Sequence, residues 1–299
     1  LQPFALNGAQ VYIHNCLEQQ IKDTGKVRAI LLKGRQQGAS TYVGGRFIHK
    51  TTHNKGVRAF ILTHDGESTN ALFEMTERYY ENLPKFVKPM ASTANAKELH
   101  FGVLDSGYKI GTAGNKAVGR GQTLQYFHGS EVAFWMNASE HTKGIMQAVP
   151  DAPGTEVIWE STANGVGNFF HEQWKLAEKG LSEFQAIFVP WFWQTEYCKE
   201  LPEGFKFIND EESIANYYKL NRNQMYWRRM KIAELTTDGV DGTKAFKQEY
   251  PMNAAEAFQV SGGDGLITSS HCMKARKEIV TGSGPYVVGV DPSRGGDRF

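Results

Sequence analysis

The sequence predicts an α/β protein: a mostly parallel sheet covered by helices on both faces, then a small helical subdomain, then the first strand of a further domain. Three observations predict this. Short apolar runs such as VRAILLKG, VRAFILTH and TEVIWEST read as buried strands, helical stretches alternate with them, and the texture turns charged, aromatic and helical after about residue 205.

Each element has its own signal. Residues 10–22 carry Val11, Ile13, Leu17 and Ile21 at helical spacing, and Gly25 ends that helix. VRAILLKG follows as a strand, STYVGGRFIHKTTH as a helix and VRAFILTH as a second strand. STNALFEMTERYYENL reads as an amphipathic helix capped by Ser68, and Leu99 to Gly114 alternates strand-like runs with glycines. TLQYFHGSE and TEVIWEST are core strands separated by a helical or loop region around 138–148, and FQAIFVPWFW is one more apolar strand. NDEESIANYYKLNRNQMYWRRMKIAEL then reads as helical, KAFKQEYPMNAAEAF as a short helix with a turn at Pro251. The glycine clusters SGGDG and TGSGP look like linkers, and YVVGVDPSRGGDRF begins a new strand ending at Asp291.

The bulk properties suit a soluble globular chain. Its 299 residues are 40% hydrophobic and 22% charged, enough for a sizeable core. The formal net charge is +1, so any nucleic-acid contact must come from local basic patches and not from a general basic field. Three widely separated cysteines (Cys16, Cys198, Cys272) have no metal-ligand spacing and fit a reducing cytosol. No apolar run approaches a membrane span, and no secretory signal is visible. The chain opens at Leu1 without methionine and stops just after a strand-like run, so it reads as a piece of something longer.

ILLKGRQQGAST, from Ile30 to Thr41, reads as a strand running into a phosphate loop. In the usual form, G-x-x-x-x-G-K-[ST], a lysine reaches the outer phosphates. Here Gly38 is followed by the uncharged Ala39. A strand, a glycine-bearing turn and a helix N-terminus still form an anion site, because free N–H groups and the helix dipole converge there. Gly34 and Gly38 suit that geometry, with Gln36 and Gln37 between them. Two cations stand at the start of the loop instead of its end, Lys33 and Arg35, and arginine grips phosphate oxygens with two parallel hydrogen bonds. Ser40 falls where a hydroxyl joins an Mg²⁺ shell, and Thr41 is placed to touch another phosphate. The alternative is a plain glycine turn with a surface-facing basic pair.

Two further motifs follow apolar strands. In LQYFHGSEVAFW the acid at the strand end, Glu131, is the candidate to position or deprotonate an attacking water. The preceding position, often Asp for the metal's outer shell, is Ser130, so metal contact there is indirect and water-mediated. A glutamate merely capping the next helix is the alternative. In WESTANG, Ser161, Thr162 and Asn164 lie at the end of another strand, where small polar side chains can sense a γ-phosphate.

With these motifs in this order, the sequence resembles the large terminase subunit of tailed bacteriophages, the motor that packages DNA into a preformed head. The pieces that carry the resemblance are PFALNGAQ, KGRQQGAST, GRGQTLQYFHGSEVAFW, ESTANG, FKQEYPMNAAEAF and VGVDPSRGGD. It implies a P-loop ATPase of the additional-strand type over 1–205, a helical lid over 206–262, a linker over 263–285 and the start of an RNase H-like nuclease domain over 286–299. It favours Arg35, with Lys33 next, as the phosphate cation, assigns Gln10 to the adenine edge, and suggests that Arg120 acts across a subunit boundary.

In the nuclease domain, Asp291 matches a carboxylate that holds divalent ions, with the others expected downstream of Phe299. The implied cofactors are ATP and Mg²⁺, with Mg²⁺ or Mn²⁺ in a complete nuclease site. The implied partners are double-stranded viral DNA, the terminase small subunit, the portal protein of the procapsid and further copies of the chain in a ring, with a monomer in isolation. The implied location is the bacterial host cytoplasm, transiently at the portal vertex. DNA would be gripped through its phosphates, and Arg222, Arg228, Arg229 and Lys231 are a candidate patch, although a solvated helix face explains them equally well. A helicase-like nucleic-acid-stimulated ATPase and a nucleotide-binding scaffold without turnover are the competing functions.

Overall fold

Strand β1 (Val27–Lys33) is buried at every position, because it lies inside an eight-stranded sheet. The computed structural model describes residues 4–95, 97–113, 123–237 and 241–258; Arg120 and Asp291 lie outside them, as do the linker and the strand expected after residue 285. The other strands are β2 (Arg58–Thr63), β3 (Thr93–Asn95), β4 (Glu98–Phe101), β5 (Ser106–Thr112), β6 (Tyr126–Ser130), β7 (Glu156–Ser161) and β8 (Gln185–Val189). Their spatial order is β3-β4-β5-β2-β6-β7-β1-β8. Pairing from β5 through β8 is parallel, and β3 and β4 add an antiparallel edge. The mostly parallel sheet expected from the sequence is therefore present. One consequence of the order matters below: β7 is inserted between β1, which feeds the candidate phosphate loop, and β6, which ends beside Glu131.

Alternate side chains go to opposite faces, so successive residues of one strand join different cores. Ala29, Leu31, Ile61 and Ile158 pack with Ile13 and Leu17 of helix α1 (Gly8–Thr24), Val43 and Phe47 of α2 (Ala39–His53) and Phe73 of α3 (Gly66–Glu81). On the other face Ile30, Leu32, Phe60, Val157 and Trp159 pack with Ile145 of α4 (Ala138–Met146) and with Phe170 and Trp174 of α5 (Phe169–Glu178). Both faces are covered, as near-continuous apolar strands require. Beyond the sheet, α6 (Glu211–Tyr218), α7 (Arg222–Leu235), α8 (Thr243–Glu249) and the short α9 (Ala254–Ala257) complete the described chain. Ala215, Met225 and Phe246 of these helices gather on Trp191 and Tyr197.

Several sequence expectations shift. The cap of α3 is Asp65, whose side chain accepts from the Ser68 N–H; Ser68 itself sits in the first turn. FQAIFVPWFW stops being a strand at Val189, because Pro190 has no N–H for the ladder and Trp191–Trp193 turn as a 3-10 segment. The long helical stretch after residue 207 is two helices, since Lys219 is left-handed and Asn221 starts α7 with a capping box to Gln224. Helix α5 has no counterpart among the sequence expectations; parallel β7 leads to β8 beyond β1 only through a crossover, which this helix supplies. Among the described residues, no helix is long and apolar enough to cross a membrane.

Gly129 in β6 is required by packing. A Cβ there would meet Val132 Cγ2 at 2.9 Å and the Trp135 and Trp159 rings at 3.1 Å. Gly129→Ala is therefore expected to destabilise the fold by about 1–3 kcal/mol, read from the urea midpoint. An unchanged midpoint would mean that this face of β6 is looser than its contacts indicate.

Candidate phosphate-binding site

The backbone between β1 and α2 makes the turn expected of an anion loop. Gln36 and Gly38 both take positive φ (55° and 75°), and Gly38 opens α2 with no side chain capping the helix. The amide groups of the first turn, at Ala39, Ser40 and Thr41, are thus left by side chains for an anion, and the helix dipole favours one. Gln37 is buried and donates to the Trp191 carbonyl at 3.2 Å, while Gln194 donates to the Gln36 carbonyl at 3.2 Å. Tyr197 Oη donates to the Arg35 carbonyl at 2.8 Å, and the Arg35 N–H donates to the Glu249 carbonyl at 2.9 Å. The loop is therefore fastened to the aromatic cluster of the helical region.

The two early cations take different places. Lys33, at the end of β1, is only 6% exposed. Its Nζ donates to Glu131 Oε1 at 3.0 Å and stands 3.3 Å from Glu160 Oε2. Burial works against the ammonium, but the charges of Glu131 and Glu160 outweigh it and raise the Lys33 pKa. Arg35 instead reaches sideways, where its Nε pairs with Glu249, and its side chain stays 57% exposed.

Glu131 stands at the C-terminal end of β6 with φ 54°, a left-handed conformation that costs a non-glycine residue on the order of 1 kcal/mol. Strain of this kind collects where a side chain must be aimed. Its carboxylate, held by Lys33 on one oxygen, accepts from Ser161 Oγ at 3.2 Å and from the Thr162 N–H at 3.4 Å on the other. Asn164 Nδ2 donates to the Ala133 carbonyl at 3.2 Å, in the turn that follows Glu131. The structure thus brings Lys33, Glu131, Ser161 and Thr162 into one cluster at the sheet's C-terminal edge, with Asn164 beside it.

Glu160 was not singled out in the sequence. It is fully buried in β7, where Oε1 accepts from Ser40 Oγ at 2.5 Å and from Ser130 Oγ at 3.0 Å. His128 Nε2 lies 3.3 Å from the same oxygen. Burial alone would push this carboxyl up; the Lys33 charge, His128 and the Ser40 hydroxyl outweigh it and hold it well below the usual carboxylate range. The signal that could have found Glu160 was an acid inside an otherwise apolar core strand, VIWES.

Gln10 is also not at the surface. It is 4% exposed, its Oε1 accepts from the Asn7 N–H at 2.9 Å in the capping box of α1, and its Nε2 donates to the Gly38 carbonyl at 2.9 Å. One end of the amide closes the start of α1 and the other docks that helix on the loop. The basic cluster of α7 is likewise occupied: Arg222 donates to the Phe205 carbonyl, Arg229 pairs with Glu211, Lys231 pairs with Glu234, and Arg228 is buried over the Phe246 ring. Packing of the helical region accounts for these groups.

No family model matches the sequence, and no curated protein matches it. Solved structures do. The ATPase domain of the Thermus phage P74-26 large terminase is similar with a TM-score of 0.53 at 18% identity, over 83% of this chain and 92% of that one. The HK97 bacteriophage large terminase is similar with a TM-score of 0.58 at 14% identity, over 84% of this chain and 51% of that one. At such identities the likeness is one of fold: the chain shares the fold of these domains.

Proposed function

We propose that this chain, sharing the fold of phage large-terminase ATPase domains, hydrolyses ATP and uses the energy to move double-stranded viral DNA into a procapsid. The observation that carries the proposal is the Lys33–Glu131–Ser161–Thr162 cluster at the mouth of an uncapped loop-to-helix turn. A strained, hydrogen-bonded carboxylate beside an anion site is what water activation at a phosphoryl group needs.

The roles follow from the contacts. The loop from Lys33 to Thr41 receives the phosphates through its backbone N–H groups and the α2 dipole. Arg35 supplies the mobile cation. Its side chain is the exposed member of the pair with the half-buried Glu249, so it can turn to a phosphate without first leaving a closed core. Lys33, by contrast, is committed to two carboxylates and keeps Glu131 aimed. Glu131 accepts the proton of the attacking water. Ser161 and Thr162, bonded to that same carboxylate, feel its change of partner and pass it to the strand end with Asn164. Mg²⁺, when bound, neutralises charge on the phosphates, and the Ser40 hydroxyl is the group placed to hold it. Movement of the loop reaches the helical region through Tyr197, Gln194 and Glu249.

The finer parts of the proposal rest on the resemblance. They are an Arg120 acting on a neighbour's site in a ring, contacts to portal and small subunit, adenine recognition by Gln10, and a nuclease domain beginning near Asp291. Adenine recognition needs Gln10 to leave its bonds to Asn7 and Gly38.

The test is phosphate release by the purified chain with Mg²⁺ and double-stranded DNA. Turnover that EDTA abolishes is expected; none, even with DNA and partner proteins supplied, would favour a non-hydrolysing scaffold. Arg35→Ala is expected to raise the Kd for ATP about 10- to 100-fold, the value of a charge-assisted hydrogen bond. An unchanged Kd would remove Arg35 as the mobile cation. Mixing Arg120→Ala chains with Glu131→Ala chains should restore part of the turnover if the arginine works in trans.

A further inference from the structure

We infer that Glu160 supplies, from the neighbouring strand, the carboxylate that fixes Mg²⁺ beside the phosphate loop, by orienting the Ser40 hydroxyl; the inference rests on the nucleotide-binding reading above. In phosphate-loop enzymes the metal is held by the loop's Ser or Thr and by an aspartate near the catalytic acid. Here the residue before Glu131 is Ser130, which has no charge to give.

The missing charge lies one strand away. Ser130 and Glu160 are register partners across the parallel β6–β7 pair, so the carboxylate is displaced by about one strand spacing, roughly 4.8 Å, at the same depth in the sheet. Glu160 is also a register partner of Leu31 in β1, two residues before Lys33 at the start of the loop. It therefore stands between the strand that delivers the loop and the strand that delivers Glu131.

Two hydroxyls converge on one oxygen. Ser40 Oγ and Ser130 Oγ both donate to Glu160 Oε1, at 2.5 and 3.0 Å. A hydroxyl whose proton is committed to a carboxylate turns its lone pairs away from it, which is the orientation a metal-binding oxygen needs. Charge points the same way. One ammonium, Lys33, lies against two carboxylates, Glu131 and Glu160, and a divalent cation would bring further positive charge to that pair of acids. An all-apolar strand would have packed here at no such cost, so the glutamate in β7 needs a use.

Among the described residues no group of three or more His, Cys, Asp or Glu could hold a metal ion by itself. That fits Mg²⁺, which keeps waters, binds phosphate oxygens and takes few protein ligands. Glu160 is thus a positioning residue, acting through Ser40.

The test is binding of a non-hydrolysable ATP analogue, measured with Mg²⁺ and separately in EDTA, with thermal unfolding recorded for every variant. Glu160→Gln is expected to lose about 10- to 100-fold of the affinity that Mg²⁺ adds, and to match the native chain in EDTA. Regain of the Mg²⁺ effect when Ser130→Asp is added to Glu160→Gln supports the inference further, since it returns the carboxylate to the usual strand. Equal losses in Mg²⁺ and EDTA, marking a purely structural glutamate, or no loss at all, overturn it. Should Glu160→Gln not fold, Glu160→Asp carries the same comparison, because it keeps the charge beside Lys33 and withdraws the carboxylate from the Ser40 hydroxyl; an unchanged Mg²⁺ effect then overturns the inference. Failure of the native chain to bind the analogue at all sinks the nucleotide reading itself, a result distinct from the others.

Discussion

Glu131→Gln is expected to lower ATP turnover by about 10²- to 10⁴-fold, the usual contribution of a positioned general base, while ATP still binds. The amide keeps the size of the side chain and can still accept from Ser161 Oγ and the Thr162 N–H. It loses the charge that Lys33 holds and the ability to take a proton from water. Because the substitution leaves the loop and the α2 N-terminus intact, the affinity for an ATP analogue should change little. Single-turnover phosphate release, set beside equilibrium binding, separates the two effects. Turnover within a few-fold of native would remove Glu131 from the reaction and leave water activation to another group.

Lys33→Met is expected to destabilise the fold by about 3–5 kcal/mol, the cost of leaving a buried charge without its partner. The cost falls unequally on the two carboxylates. The Glu131 side chain is 26% exposed and can turn toward water, whereas that of Glu160 is 0% exposed and cannot. The double variant Lys33→Met with Glu160→Gln should therefore recover most of the loss, since it removes the stranded charge as well. Urea denaturation of the four chains, native, single and double, gives the coupling directly. A Lys33→Met midpoint close to native would show that Glu160 takes a proton when alone and that the lysine does not hold the cluster together.

Much of this arrangement was legible in the chain. The strand, turn and helix around the loop, the acid ending β6 and the polar run ending β7 all follow local rules of pattern and punctuation. Local rules also failed in recognisable places. Ser68 looked like a cap because the sequence does not reveal that Asp65, three residues earlier, adopts the extended backbone a cap needs. Pro190 inside an apolar run was overridden by the strength of the hydrophobic signal around it. The basic residues of α7 allow a DNA contact or a solvated helix face, and no local pattern records that Glu211, the Phe205 carbonyl and Glu234 engage three of them while Arg228 is buried.

By itself the sequence determined the class of fold and the segments that end at the site, because apolar periodicity and glycine placement act over a few residues. Only the tertiary structure decided which cation meets which acid. Lys33 meets Glu131, 98 positions away, and Arg35 meets Glu249, 214 positions away. For Lys33 the physical reason is the strand order, since β7 is inserted between β1 and β6 and residues far apart in the chain share one register; for Arg35 it is the end of α8 docked on the loop, where the Arg35 N–H also donates to the Glu249 carbonyl, and no local pattern records either pairing.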